Sequence, residues 1–315
     1  MRKITPSVFL AALLALGLHV VSAQAQYVQT CVSASGNDAN TCHCSQPCRT
    51  FQRAHDQTLA DGEITVLDPG GYGPVTITKS ISIVNDGAGE ASIQVSGGGI
   101  GITVNAPNGA GYVNLRGIVI QGVGFGGGTG LRFNTGFSLT MTNCVVRNHT
   151  GNGIGFFPNA STNLAISNTL VADNGGVGIL AIPQGPGTVK IALSRVGLYN
   201  NSGDGIQLSG LDSTGTIKTL IADSVAAGNA GHGFIAASSV SSTFLPNRLM
   251  LVRSVAANNG TGIRATDPAQ VWVRQSTVTG NTTGVDPAGV VISYGDNKVD
   301  ANSTDGAFIG IVPKE

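Results

Sequence analysis

Charged and aromatic side chains are scarce in this sequence. Of its 315 residues, 11% are charged and 5% are aromatic, and 17 basic residues are balanced by 17 acidic ones. A chain without an excess of positive charge has no general attraction for nucleic acids or anionic membranes. The composition therefore predicts no nucleic-acid partner, while the 41% of hydrophobic residues leaves enough material for a sizeable core.

Long apolar runs are also missing, except at the very start. Arg2 and Lys3 precede an apolar stretch from Val8 to Val21, and the small-residue sequence Ala23-Gln24-Ala25 follows it. This order is typical of a secretory signal peptide, so we predict one over residues 1–25, cleaved after Ala25. No later run is apolar enough for a membrane helix, so we expect a secreted or periplasmic protein without a transmembrane segment after cleavage.

Cysteine is rare, with five residues, and unevenly placed, because Cys144 stands alone in a strand-like segment. The other four cysteines, close to the start of the exported chain, are Cys31, Cys42, Cys44 and Cys48. In an oxidising compartment they predict two disulfides, with Cys31 bonded to one of the other three because a Cys42–Cys44 bond would be strained. The alternative is a metal site that includes His43. We expect Cys144 to be a buried apolar residue.

Glycine is abundant, with 46 residues, and much of it falls in a repeat. The repeat is a Gly-x-Gly followed by an apolar residue, and two looser copies end at Val285 and Ala307. Its six clear copies end at Leu131, Ile154, Ile179, Ile206, Phe234 and Ile263. All these apolar residues lie 22 to 29 positions apart. A variable period of this size predicts a solenoid.

The segments between the glycine pairs alternate apolar and polar residues, which is typical of strands. Examples are LTMTN (139–143), LAISN (164–168), VKIAL (189–193) and VWVRQ (271–275). Three short strands per repeat predict a right-handed parallel β-helix over residues 63–315, in which the apolar residues of the repeat, from Leu131 to Val285, stack as one inward column. Neither the hexapeptide rhythm of a left-handed version nor a leucine-rich repeat is present.

Glycine and asparagine are expected to shape the corners. Glycine adopts positive φ without strain and lets the chain run close to the next coil. Asparagine tolerates the same conformation and recurs five residues before the stacked apolar position. These asparagines are Asn174, Asn201, Asn229, Asn258 and Asn302. Stacked about 4.8 Å apart, their amides can form a hydrogen-bonded ladder.

This repeat, together with the segment CRTFQRAHDQTLADGEITVLDPGGYGPVTITKSISIVND at 48–86, resembles the right-handed β-helix repeat proteins of the pectin-lyase-like superfamily. The resemblance covers nearly the whole chain after residue 25. It implies the fold but leaves the function open, because the superfamily includes pectate lyases, polygalacturonases, epimerases and adhesins.

Residues 26–62 are expected to form a disulfide-bearing cap for this solenoid. A helix from Thr50 to Ala60, with Thr50 as its N-cap and Asp61-Gly62 as its end, would cover the open strand edges of the first coil. The last segment, GAFIGIVPKE, has no comparable polar cover. We therefore expect weak self-association through the C-terminal coil.

The repeat also places two ionisable residues at equivalent corners of adjacent coils, namely Asp204 and His232. The Gly-His-Gly at 231–233 resembles that of polygalacturonases, but the chain has no Asp-Asp pair and no Arg-x-Lys to accompany it. A neighbouring carboxylate can hold an imidazole in one tautomer for acid/base catalysis, so Asp204 and His232 are candidate catalytic residues. The alternative is a solvated surface pair.

A binding surface is predicted beside these corners. Three connecting segments, at 182–188, 209–216 and 238–248, lengthen in the middle coils and should stack as a wall. Next to that wall lie four candidate binding residues, Leu180, Gln207, Ile235 and Arg264. Loops on a rigid scaffold often bind ligands, although these insertions can also be tolerated without one.

The function expected from these features is non-catalytic binding to an extracellular glycan or to the cell envelope. The alternative is a polysaccharide-degrading enzyme. Basic residues that could neutralise a uronate are scattered along the sequence, and no calcium-binding repeat is present, so polyuronate lyase activity is not expected. No metal and no cofactor are predicted.

Overall fold

The computed structural model describes residues 26–210, 215–238 and 246–312. The predicted signal peptide at 1–25 lies outside these residues. Within them, 28 strands form one continuous sheet in which every pairing of named strands is parallel, and a single short α-helix, α1, spans Phe51–Gln57. No helix in this part of the chain is long and apolar enough to cross a membrane.

The sheet winds into coils with three faces, which we call A, B and C in chain order. Face A contains β4 (Val75–Ile77), β7 (Ile100–Asn105), β10 (Thr129–Thr135), β13 (Ile154–Phe156), β15 (Ile179–Ala181), β17 (Ile206–Gly210), β20 (His232–Ser238), the first parts of β23 (Thr261–Arg274) and β25 (Thr283–Ser293), and β27 (Thr304–Gly306).

Face B contains β1 (Tyr27–Val32), β2 (Thr58–Val66), β5 (Ile81–Val84), β8 (Tyr112–Arg116), β11 (Ser138–Thr142), the first parts of β14 (Thr162–Ala172) and β16 (Gly187–Tyr199), β18 (Gly215–Ala222), β21 (Arg248–Val252), the last parts of β23 and β25, and β28 (Gly310–Ile311).

Face C contains β3 (Gly70–Gly71), β6 (Ala91–Val95), β9 (Ile118–Gly122), β12 (Val145–Arg147), the last parts of β14 and β16, β19 (Val225–Ala227), β22 (Val255–Ala257), β24 (Thr277–Thr279) and β26 (Lys298–Val299). The predicted parallel β-helix with three strands per coil is therefore confirmed.

The inward column on face A holds the coils together. Its members, each paired in register with the next and all buried, are Leu131, Ile154, Ile179, Ile206, Phe234, Ile263 and Val285. Burying each such side chain stabilises the fold by roughly 1.5–3 kcal/mol. The looser last copy is shifted by one residue, because Gly306 and not Ala307 lies opposite Val285.

The glycines of the six clear Gly-x-Gly copies are required for close approach and not for positive φ, whereas Gly306 in the last, looser copy has a φ of 70°. Neither glycine of the Gly-His-Gly, for example, has a positive φ. A Cβ on Gly233 would lie 2.7 Å from the carbonyl oxygen of Gly262 and 2.9 Å from Nδ2 of Asn259 in the next coil. The expectation of positive φ is therefore wrong for the six clear copies, in which the glycines serve their second expected role, close contact between coils.

An asparagine ladder runs along the corner between faces C and A, as predicted. Each side chain donates from Nδ2 to Oδ1 of the next, over 2.9–3.0 Å. Its members are Asn174, Asn201, Asn229, Asn259, Asn281 and Asn302. Asn258, which was predicted as a member, lies one residue before the ladder position and has a φ of 56°. The corner is one residue shorter in these later coils, which moves the ladder position to Asn259.

A histidine takes the place of asparagine at the N-terminal end of the ladder. The backbone N–H of His149 donates to Oδ1 of Asn174 over 3.2 Å, as the N–H of Asn174 does to Asn201. His149 is fully buried, its Nε2 contacts the carbonyl oxygen of Ile120 at 3.3 Å, and Nδ1 has no hydrogen-bond partner. Burial lowers the pKa of this imidazole, and only the contact with Ile120 opposes that shift.

The N-terminal helix is shorter than expected. Thr50 is its N-cap, as predicted, because Oγ1 accepts a hydrogen bond from the backbone N–H of Arg53. The helix ends at Gln57 and not at Ala60, since Thr58 pairs with Tyr27 in the sheet and its hydroxyl donates to the carbonyl oxygen of Ala54. Thr58 and Leu59 therefore belong to β2, whereas sequence analysis placed them on the helix.

Two disulfides pin the segment before this helix. Cys31 is bonded to Cys44, and Cys42 to Cys48, so the metal-site alternative is wrong for these cysteines. Two such bonds are typical of an oxidising compartment. Cys144 is buried, as predicted, and burial raises the pKa of its thiol.

The C-terminal end is less well covered. Gly310–Ile311 adds one short strand to β25. Among the described residues, no helix covers this end as α1 covers the first coil. Ile309 and Ile311 are 55% and 72% exposed, and Val312 is 39% exposed. The end of the solenoid thus presents apolar side chains to solvent.

Candidate functional site

Asp204 and His232 meet at the start of face A. Because Ile206 pairs with Phe234, the two residues occupy the same place in adjacent coils. Oδ1 of Asp204 lies 2.7 Å from both the backbone nitrogen and Nδ1 of His232. Their side chains are 13% and 22% exposed. The predicted contact is present, and both groups are only partly accessible.

The glycines around His232 make this contact sterically feasible. A Cβ on Gly231 would lie 2.3 Å from Oδ1 of Asp204, so any larger residue would displace the carboxylate. The backbone N–H of Gly205 donates to the carbonyl oxygen of His232 over 2.7 Å and fixes the two coils together. The Gly-His-Gly sequence therefore positions the imidazole on the carboxylate of the preceding coil.

Hydrogen bonding determines the imidazole tautomer. An ionised Asp204 only accepts, so Nδ1 of His232 carries a proton and donates it to Oδ1. In the neutral ring Nε2 is then an acceptor, and Nη1 of Arg264 lies 3.4 Å from it. The same Nη1 is 3.4 Å from Oδ2 of Asp286. Asp204, His232, Arg264 and Asp286 thus form one polar row across face A, which we call the face A row.

The predicted binding residues lie in register beside this row. Leu180, Gln207, Ile235 and Arg264 pair one after another on neighbouring strands, and Asp286 follows Arg264. Leu180, Gln207 and Arg264 are partly exposed, but Ile235 is only 6% exposed. Ile235 lies on the outer side of the strand, as alternation predicts, but offers little accessible surface, and its role in binding stays a prediction.

The wall of loops that should flank these residues is only partly described. Residues 182–188 lie in the described part of the chain, whereas parts of 209–216 and 238–248 fall outside it. Ser209 and Ala237, on the outer side of β17 and β20, are nevertheless 4% and 2% exposed. On β17 and β20 the partly exposed residues are therefore Gln207 and His232.

Sequence reasoning missed Asp286 as a member of the row. The residue follows Val285, as Arg264 follows Ile263, so its place on the outer side of face A could have been read from the repeat. The guanidinium is incompletely satisfied, because its buried Nε has no hydrogen-bond partner among the described residues.

The chemistry available here is hydrogen bonding and acid/base chemistry. The described residues contain no group of three or more His, Cys, Asp and Glu side chains that could hold a metal ion. The row offers carboxylate acceptors at Asp204 and Asp286, guanidinium donors at Arg264, and one imidazole. Such groups can hold sugar hydroxyls, or an imidazole can transfer a proton if its Nε2 is freed from Arg264.

Comparison with known proteins finds similarity in structure only. No family model and no curated protein matches this chain. The fold is similar to that of a pectate lyase, Pel9A, with 16% identity over 84% of this chain and 67% of the other and a TM-score of 0.54. It is also similar to an alginate lyase from Paenibacillus sp. str. FPU-7, with 15% identity over 87% of this chain and 99% of the other and a TM-score of 0.50.

At such low sequence identity, this structural similarity shows the fold and not the activity. They agree with the single parallel sheet described above. The chain therefore has the right-handed parallel β-helix fold of pectin-lyase-like proteins.

Proposed function

We propose that this chain is an exported β-helix protein that binds a glycan of the extracellular space or cell envelope on face A without cleaving it. Export is supported by the two disulfides and by the predicted signal peptide at 1–25. The observation that carries the binding proposal is the face A row, a line of fixed donors and acceptors on a rigid sheet.

A neutral or weakly charged glycan suits this row better than a polyanion. Asp204 and Asp286 supply two negative charges against one from Arg264, so the row has no positive excess. Carboxylate and guanidinium groups form the stronger, charge-assisted hydrogen bonds, and sugar hydroxyls both donate and accept. Leu180 adds a partly exposed apolar contact next to the polar groups.

The tautomer of His232 supports binding without cleavage. Its Nδ1–H is used by Asp204, and its Nε2 faces the Nη1–H of Arg264. A general base needs a free lone pair within hydrogen-bond reach of the proton that it removes. With Arg264 in that position, the imidazole links two charged groups and has no lone pair left for a substrate.

Glycan cleavage is the second candidate, and one observation favours it. The Arg264 contact at 3.4 Å is long for a hydrogen bond, so a substrate hydroxyl could replace it. His232, oriented by Asp204, would then act as the base, and Arg264 would stabilise negative charge on the substrate. The solved structures with this fold that are named pectate lyase and alginate lyase support this alternative at the level of fold.

A glycan array followed by product analysis separates the two functions. We expect the wild-type chain to bind one or more glycans and to release no new reducing ends and no unsaturated sugars from them. His232→Ala should weaken this binding, whereas His43→Ala, at an exposed histidine of the cap, should not. Product formation by wild-type protein that is lost in His232→Ala would establish the enzyme, and absence of all glycan binding would contradict both candidates.

A further inference from the structure

A second surface, on face B, carries three cations in register. Lys190 pairs with Lys218, and Lys218 pairs with Arg248, so the three occupy the same place in consecutive coils. All three are exposed. We call them the basic column. In the sequence they are 28 and 30 residues apart and appear scattered, so only the strand register reveals that they form a line.

Within the described residues, no ion pair neutralises the basic column. Ion pairs elsewhere in the described residues neutralise Arg116, Arg253, Arg264 and Arg274, but none involves Lys190, Lys218 or Arg248. Like charges placed directly opposite each other on neighbouring strands destabilise a sheet. A negatively charged ligand would reduce the repulsion among these three cations and so stabilise the sheet.

An apolar column runs beside the basic one, two residues further along each strand. Its members, in register, are Ala192, Leu220, Met250 and Trp272. Leu220 is 47% exposed, and the guanidinium carbon of Arg248 lies 5.7 Å from the centroid of the Trp272 ring. This contact holds the Arg248 side chain against the tryptophan. The two columns together form a flat strip, apolar on one side and positive on the other.

The strip opens onto a surface cavity of about 310 Å³ at its N-terminal end. Lys190 and Lys218 line it together with Phe137, Asn163 and Thr188. Two ammonium groups, a hydroxyl, an amide and an aromatic ring suit a charged sugar, because the charges attract its anion and the ring packs against its C–H face. The cavity thus gives the strip a defined end.

We propose that this strip is a binding site for an acidic glycan, a linear chain of sugar rings that bears carboxylate or sulfate groups. The chain would lie parallel to the solenoid axis, with its charges on Lys190, Lys218 and Arg248 and its rings on Leu220 and Trp272. The site is separate from the face A row and does not depend on the function proposed for that row.

The shape of the strip favours a glycan over an anionic lipid surface. Met250 and Trp272 are only partly exposed. Side chains that anchor a protein in a bilayer must reach into the headgroup region. A flat strip with a cavity at one end instead matches a polymer that lies on it.

Binding of the full chain to immobilised glycans tests this site. The probes are a polyuronate, a sulfated glycan, a neutral glucan and vesicles that contain anionic lipid. We expect affinity for the polyuronate, the sulfated glycan or both, falling as salt is raised. Lys190→Gln and Lys218→Gln should each weaken it by about fivefold, and the double variant by more.

Lys298→Gln is the matched control, because it removes the same charge from an exposed lysine on face C. It should bind as the wild type does, whereas Leu220→Ala should weaken glycan binding without altering its dependence on salt. The proposal fails if the double lysine variant binds the charged glycans as Lys298→Gln does, if that double variant loses affinity for the neutral glucan to the same extent, or if only the vesicles bind.

Discussion

The asparagine ladder and the face A row occupy neighbouring positions of the same coils, yet they differ in almost every property. The ladder repeats one residue type, is mostly buried and satisfies each amide with the next. The face A row changes residue at every coil and is partly exposed. One residue separates Asn201 from the Gly-Asp-Gly that contains Asp204.

This contrast shows which positions the fold constrains. At the ladder, an amide must bridge two coils, and at the flanking glycines no Cβ fits. Between the two glycines, the side chain points away from the core and geometry accepts Asn152, Val177 or Thr261 equally well. Since the residue at this place changes from coil to coil, the fold does not require the pair of Asp204 and His232, whose side chains are 13% and 22% exposed.

Removing a central amide of the ladder should have the largest effect. Asn229→Ala deletes the side-chain bonds to Asn259 and Leu198. It also removes the Oδ1 acceptor of the backbone N–H and Nδ2 of Asn201 in a buried site, where Nδ2 keeps only the carbonyl oxygen of Val171. We expect the free energy of unfolding to fall by about 3 kcal/mol, measured by chemical denaturation. Asn302→Ala, at the partly exposed end, should cost about 1 kcal/mol because water can replace the lost bonds. Equal losses would contradict the role of burial.

Substitution of the two glycines that flank His232 should affect stability and glycan binding to different extents. Gly233→Ala places a Cβ against the Gly262 carbonyl and the Asn259 amide, so we expect a loss of about 2 kcal/mol from forced backbone shifts. Gly231→Ala collides with the more mobile carboxylate of Asp204, and should cost less stability but more glycan affinity. Denaturation and glycan titration of both variants check this, and the reverse order would contradict it.

The histidine at the end of the ladder should make stability depend on pH. The folded-state pKa of His149 lies below its unfolded value of about 6.5, so native protein binds fewer protons. Stability should therefore be full above that value and fall as the pH drops below it.

His149→Asn, which restores the ladder residue, should flatten this dependence between pH of about 7.5 and about 5, as measured by melting temperature. Some slope should remain, because burial also lowers the pKa of His55. An unchanged slope in His149→Asn would show that other groups dominate the acid sensitivity of the fold.

The weakest expected effect is self-association through the exposed C-terminal coil. Ile311→Lys places a charge on the bare end, where Ile311 is 72% exposed, and should abolish the slight concentration dependence of the sedimentation coefficient. Val28→Lys, at a residue 67% exposed in the N-terminal coil, is the matched control and should keep it. A strict monomer at high concentration in the wild type would contradict the expectation.

Features that repeat in every coil could be predicted from the sequence. The inward column from Leu131 to Val285, the ladder position of Asn229 and the contact of Asp204 with His232 all follow from a constant offset to the Gly-x-Gly corner. The constant offset gives a wrong prediction where a corner is one residue shorter, and for this reason Asn259 and not Asn258 joins the ladder.

Other features depend on the register between strands that long and unequal connections separate. The basic column of Lys190, Lys218 and Arg248 is of this kind, because connection lengths hide the alignment. The burial of an outward residue such as Ile235 is likewise hidden, because alternation reports the side of the strand and not the exposed fraction of the side chain. The end of the helix at Gln57 was decided by strand pairing of Thr58, which overrides local helix preference.

The central claim, that the face A row binds a glycan without cleaving it, is tested most directly by titrating a glycan identified on the array. Arg264→Gln removes the only cation of the row and should weaken binding by about tenfold, while Lys298→Gln should leave it unchanged. The glycan recovered after prolonged incubation with wild-type protein should be intact. Equal affinity of the two variants, or a shortened glycan, would contradict the account.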